Sequence, residues 1–401
     1  MQRFLTFVLA LAGAFAVPAF STEPPWAATR EAPAAQTPVA PDKNAGPAVE
    51  PPKPTAEPAG PAAEPVQPAA VPAKPADPHL ALLLPIKSAT LAPAAAALRA
   101  GLDAAERMQS DRSLPLRVYE TGDDPAESVA AYRKAVEAGA RAVVGPLTRA
   151  GVTALAAAAP LKIPTLALNV PDGSTQLPER LYVLSLQAEA EALQLAKIAA
   201  GGDRPRGVVI YADTPVDRRI RSAFADAWRA LGGEIVGEHQ FSGDVQTLPA
   251  LKQLLLQAAP QAAFLAMDAE KARLARAFID NSIPVYATSE VNAGRTDPLA
   301  YFDLNGVHFV DMPWLLQPDH PAVMVYPRDD TLPSLALERI YALGIDAWRI
   351  ARLLAEGPPG DLRLDGVTGR LALGSDRHFG RELTLARFRQ GDIAVVRANF
   401  R

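Results

Sequence analysis

The sequence predicts an α/β protein of two lobes, each a parallel sheet flanked by helices, with crossovers that act as hinges. Three observations lead there. Short continuous apolar runs of strand length recur from His79 to Ser289. Helical stretches of about ten to fifteen residues separate them, which is the pattern of parallel sheets with helices on both faces. Residues 79–401 also exceed the size, about 250–300 residues, at which one core stops growing.

Taken in order, "HLALLLP" (79–85) reads as a buried strand. It is followed by a helix from Pro93 to Met108 with Leu98, Leu102, Ala105 and Met108 at helical spacing. "LPLRVYE" (114–120) is the next strand, and a helix from Pro125 stops at Gly139, a residue suited to a helix end. "ARAVVGP" (140–146), "IPTLALN" (163–169) and "RLYVLS" (180–185) continue the strands, with a helix at 148–159 between the first two. A second set alternates strands at 206–213, 233–241, 262–268 and 283–289 with helices at 216–231, 247–258 and 269–281. From Gly306 the alternation breaks into "GVHFVDM", a proline-rich stretch around Trp314, a long helix at 333–356 and a hairpin-like tail. The expected lobes are 79–185 plus 306–401, and 186–305. Their cleft lies beyond the carboxyl ends of the strands, where open α/β sheets bind ligands.

Two segments precede this region. "MQRFLTFVLALAGAFAVPAF" has a basic Arg3, an apolar run from Phe4 to Ala16 and small residues at Ala14, Ala16 and Ala19. That is the layout of a secretory signal peptide over residues 1–19, with retention as an anchor as the alternative. Sixteen of the 39 prolines fall between Pro24 and Pro78, and no Leu, Ile, Phe, Met, Tyr or Trp lies between Ala27 and His79. Residues 20–78 therefore read as a disordered Ala/Pro-rich linker, because nothing in them offsets the ordering entropy. The signal-peptide layout makes export the expectation, which in a two-membrane envelope means the periplasm, with outer-membrane association left open.

Composition excludes several chemistries. The chain has no cysteine, which removes disulfides, thiolate catalysis and Cys-type metal sites. A net charge of -4 offers no case for nucleic acid. No HExxH, GxSxG, Walker A loop or GxGxxG is present, and the five histidines show no metal-ligand spacing. The chain is expected to be no enzyme and to need no cofactor.

Candidate cleft residues follow the strands. "VVGPLTRAG" places Thr148 where a helix begins, suited either to an anion contact or to an ordinary cap. Lys87 and Ser88 sit at the same kind of edge. Asn169, Ser185, Asp213 and Glu290 each end a strand in the same manner. Trp314 either stacks on a ligand or partner, or pins its loop to the domain. In "YALGIDAWRIARLL" (341–354) the helix is apolar around most of its circumference yet carries Asp346.

Several stretches carry a family likeness. "GPLTRAGV", "PTLALN" and "LSLQAEAEALQLAK" resemble a type 1 periplasmic binding protein fold. "ALERIYALGIDAWRIARLL" and "LDGVTGRLALGSDRHFGRELTLARF" resemble the C-terminal domain of the penicillin-binding-protein activator family, the LppC-type lipoproteins. The resemblance implies a non-catalytic regulator that stimulates a class A penicillin-binding protein, a peptidoglycan synthase, by contact. The alternative is a periplasmic solute-binding protein that feeds an amino acid or similar small molecule to an ABC transporter. Two departures stand out. Ala14 occupies the position after Leu11-Ala12-Gly13 where the family's lipobox has cysteine, so no lipid anchor is expected. The Ala/Pro segment stands where better-known members carry a helical-repeat domain. The resemblance also implies that Asp346 and Trp348 serve the scaffold, with Asp346 paired to Arg349 or to buried backbone donors.

Overall fold

The computed structural model describes residues 77–109, 114–173, 176–202, 204–294, 299–357 and 360–396. The signal-peptide and linker expectations lie outside these residues. The first elements are β1 (His79–Leu84), α1 (Ala92–Arg107), β2 (Leu116–Glu120), α2 (Pro125–Glu137), β3 (Ala140–Val144), α3 (Arg149–Ala157), β4 (Thr165–Ala167) and β5 (Leu181–Val183). The strands form a parallel sheet of order β2-β1-β3-β4-β5. Every residue of β1 is buried, which explains its unbroken apolar run. Caps set the helix starts: Asp124 accepts from the Ala126 N–H at 2.9 Å ahead of Pro125, and Thr148 accepts from the Gly151 N–H at 3.1 Å.

The second set comprises α4 (Ala188–Ala199), β6 (Arg206–Tyr211), α5 (Pro215–Ala230), β7 (Glu234–Gln240), α6 (Leu248–Ala258), β8 (Ala262–Ala266), α7 (Ala269–Arg276), β9 (Val285–Ala287), α8 (Ala300–Asp303) and β10 (Val307–Asp311). After these come α9 (Pro313–Leu316), α10 (Pro321–Met324), α11 (Leu335–Glu356), β11 (Arg363–Asp365), β12 (Arg370–Leu373), β13 (Phe379–Glu382), β14 (Thr384–Arg389) and β15 (Asp392–Val395). The second sheet runs β15-β14-β10-β9-β8-β6-β7. Its β7-β6-β8-β9-β10 portion is parallel and repeats the order of the first sheet, while β14 and β15 add on antiparallel. A third, antiparallel sheet contains β11, β12 and β13. Two parallel sheets flanked by helices are thus the architecture the alternation predicts.

The expected lobe boundary is corrected. Residues 306–401 do not return to the first lobe as a block, because β10 continues the parallel ladder from β9 and β14 pairs with β10. Two pieces return: α11 packs along α1 and against β3 and β4, and the turn before β13 bridges β5, where the Val183 N–H donates to the Arg377 carbonyl at 3.0 Å beside a Val183–His378 bridge. The crossing of α11 with α1 brings backbone against backbone. A Cβ on Gly101 would lie 1.9 Å from the Tyr341 carbonyl oxygen, and one on Gly344 would lie 2.2 Å from that of Leu98. Both lobes lie within one compact unit, Ala70–Arg401, and one buried cluster runs from Leu82 and Leu98 through Ile345 and Trp348 to Phe224 and Phe264.

Candidate site between the lobes

Each parallel sheet reverses its strand order beside its first strand, and ligands in such folds sit outside the carboxyl ends there. A cavity of about 330 Å³ lies at that place, lined from the first lobe by Leu147 and Asn169, from the second by Glu189, Arg219 and Glu290, and from α11 by Ile340. Several of its polar groups already have protein partners. Arg219 donates to Glu189 at 2.7 Å, and Arg149 lies 3.8 Å from Asp172. Asn169 donates to the Leu147 carbonyl at 3.2 Å and accepts from the Val170 N–H at 3.0 Å. Glu290 is exposed at the cavity edge. Loss of solvent, followed by repulsion from Asp217 and Asp268, holds its carboxyl above the usual range.

The other candidates serve nearby structure. Thr148 caps α3 through Gly151. Buried Ser88 accepts from the Leu91 N–H at 3.2 Å and so opens α1. Exposed Lys87 pairs with Glu127 at 3.2 Å, and Asp213 pairs with Arg218 at 2.7 Å. Ser185 is half-buried between β5 and α4. Of its two readings Trp314 takes the second, pinning its loop, and it does not line the cavity. It is 1% exposed, its ring centroid is 5.4 Å from that of Tyr341, and the Arg328 guanidinium lies 4.5 Å over it. Its backbone N–H donates to the Val367 carbonyl at 2.9 Å, so the side chain pins its loop into the core.

Asp346 is fully buried and accepts from four donors: the Val367 N–H (3.2 Å), the Thr368 N–H (2.8 Å), the Thr368 hydroxyl (2.7 Å) and Arg349 (3.1 Å). Burial raises its pKa, while Arg349 and Thr368 oppose the rise. Its carboxylate fastens the turn between β11 and β12 to α11. Trp348 is buried beside it in the helix, with Arg352 5.8 Å over its ring.

Sequence reasoning missed a buried polar network at the carboxyl ends of β9 and β10. Arg339 of α11 donates to Asp311 at 2.7 Å and to the Ser289 and Asn292 carbonyls, each at 3.1 Å. Asn292 donates to Asp311 at 3.0 Å and accepts from the Tyr301 hydroxyl at 2.8 Å. Glu191 of α4 accepts from the Ser289 N–H at 2.7 Å and hydroxyl at 3.0 Å, with buried Arg381 4.0 Å away. Burial pushes Glu191 up to about 7 against the pull of Arg381 and Ser289. Partners 98 residues apart leave no spacing pattern to read. Among the described residues no group of three His, Cys, Asp or Glu is placed to hold a metal ion, and no helix is long and apolar enough to cross a membrane.

Against known proteins, a family model described as "LppC putative lipoprotein" matches residues 73–391. Penicillin-binding protein activator LpoA of Pectobacterium parmentieri (strain WPP163) is 28% identical over 358 residues, covering 78% of this chain and 51% of that protein. LpoA of Klebsiella pneumoniae (strain ATCC 700721 / MGH 78578) is 26% identical over 70% of this chain and 44% of its own length. The chain spans about half the length of these curated relatives. The LpoA C-domain from Haemophilus influenzae, described as "a regulator of PBP1A", superposes with a TM-score of 0.67 at 22% identity, over 80% of this chain and 100% of that one. A Chromobacterium violaceum ATCC 12472 structure described as "a putative branched-chain amino acid ABC transporter" also superposes at 0.67, with 38% identity over 77% of this chain and 99% of that one. These structures share the type 1 periplasmic binding protein fold. On the match over residues 73–391, the chain belongs to the LppC family.

Proposed function

We propose that this chain is a non-catalytic regulator acting in the periplasm by contact with a class A penicillin-binding protein, stimulating peptidoglycan synthesis. The observation that carries the reading is the LppC family match over residues 73–391, the module that forms the C-domain of LpoA. The protein partners already held by Arg219 and Asn169 in the cleft support it, since a contact regulator needs no open set of ligand partners. The test is a glycan-polymerisation assay with a purified class A synthase and the full chain. A saturable rise in rate is expected, and no binding and no change in rate would refute the reading.

A second reading, a solute-binding protein for an amino acid, is favoured by the Chromobacterium violaceum likeness and by the 330 Å³ cavity. A ligand that binds only the native state raises the melting temperature by mass action. A saturable shift with leucine would favour this reading over the first.

A further inference from the structure

The pole of the first lobe opposite the cleft carries a second recess that the cleft readings leave unused. Thr165, which opens β4, pairs with Leu181, which opens β5, and with Val143, three residues past the start of β3, so the amino end of β3 runs beside the segment 162–164 that leads into β4. Arg141, Lys162 and Arg180 stand at those ends, and Arg133 stands next to them on α2; all four are exposed. Lys162 is drawn in by Tyr132, whose hydroxyl accepts the Lys162 N–H at 2.7 Å. Among the described residues none of the four cations has an acidic side chain within ion-pair distance. Exposed Glu137 and Glu179 are the acids nearby, so the patch is net positive on a chain whose formal charge is -4.

Beside this patch, between α2 and the end of α3, lies a cavity of about 230 Å³, with Val129, Val136, Pro160 and Leu161 in its walls and two cations, Arg133 and Lys162, and one acid, Glu137, in its lining. None of the exposed large apolar side chains of the described residues lies here. A bilayer is engaged by apolar groups that protrude, whereas a recess receives a side chain that the partner supplies. We propose that this pole is a docking site for an acidic segment of a partner protein, which seats one aliphatic or aromatic side chain in the recess while its carboxylates face Arg133, Arg141, Lys162 and Arg180. The site is independent of the cleft and stands whichever reading of the cleft holds. Rim charges steer the encounter and make it salt-dependent, and the buried anchor sets residence time.

The test uses the full chain and a fluorescein-labelled acidic pentapeptide with phenylalanine at its centre, followed by fluorescence anisotropy at low salt. Saturable binding is expected. The double variant Arg133→Glu/Lys162→Glu should weaken it about tenfold or more, as should alanine at the centre of the peptide. Ala158→Leu, which fills the recess and keeps every charge, should weaken it as well. If the charge-reversed protein fails to fold, Arg133→Ala/Lys162→Ala gives the same reading at lower contrast. Absence of binding, or binding unchanged in the folded variants, would overturn the proposal. So would uptake by phosphatidylglycerol vesicles without peptide binding, which would make the pole a membrane contact.

Discussion

The Arg339 guanidinium grips the Asp311 carboxylate through two donors, Nη2 at 2.7 Å and Nε at 3.2 Å, with Asp311 1% exposed. One partner belongs to the helix that packs on the first lobe and the other ends a strand of the second. The pair therefore bolts one lobe to the other. A carboxylate so buried is tolerable only because Asn292 and the Met312 N–H share it with Arg339.

Removing one side of that bolt should cost more than removing both. Arg339→Met leaves Asp311 buried and uncompensated, and a loss of about 3–5 kcal/mol is expected. Asp311→Asn combined with Arg339→Met should cost less than the sum of the single changes. Urea unfolding of the four proteins in the cycle measures the coupling. Additive losses would show that the two side chains act separately.

Glu191 should make stability depend on pH near neutrality. Its folded pKa, about 7, lies above the ordinary 4.5, so between these values the native state holds a proton that the unfolded chain releases. The contribution of this group is therefore fully present below pH 4.5 and is lost as pH rises through 7. At 1.36 kcal/mol per unit the loss amounts to about 3 kcal/mol. Glu191→Gln cannot ionise and should flatten the dependence of the urea midpoint between pH 5 and pH 7.5. An unchanged slope would place the titration elsewhere.

At the α1–α11 crossing a single methyl group has nowhere to go. Gly101→Ala and Gly344→Ala each drive a Cβ onto a backbone carbonyl, which cannot rotate aside as a side chain can. Each should lose about 3 kcal/mol, the upper end of overpacking costs. Gly360→Ala, with nothing within 4 Å, is the control and should change stability little. Denaturation midpoints decide the comparison.

Asp346→Ala should destabilise without touching partner contact. It strands the Val367 and Thr368 N–H groups beneath α11, for about 3 kcal/mol. Thr368→Ala removes one hydroxyl donor and should cost about 1 kcal/mol. Melting curves read the loss. A folded Asp346→Ala protein that no longer binds its partner would give this acid a role beyond the scaffold.

Periodicity carried much of the fold. The helix expected at 216–231 forms at Pro215–Ala230, and the one expected at 333–356 forms at Leu335–Glu356. Helix 188–199 had only a motif reading, because its Ala, Glu and Gln give a weak apolar stripe. Sheet membership of β10 and β14 was not legible, since pairing across 70 or more residues leaves no local mark. Trp314 was left with two readings for a related reason. What decides for the pinned loop, Tyr341 and Arg328 packed on the ring, comes from elsewhere in the chain. The candidates after strands stand at the carboxyl ends of their strands, and of these only Asn169 and Glu290 line the cavity.

The late position of α11 and β14 bears on how such a polypeptide is made. The helix that covers β3 and β4 comes from residues 335–356, and the strand that pairs with β10 from residues 384–389. While a ribosome is still adding these, the earlier strands lack part of their cover and the nascent chain has no finished resting place. The first half therefore closes only after residues 335–356 have emerged, and the second only after residues 384–389.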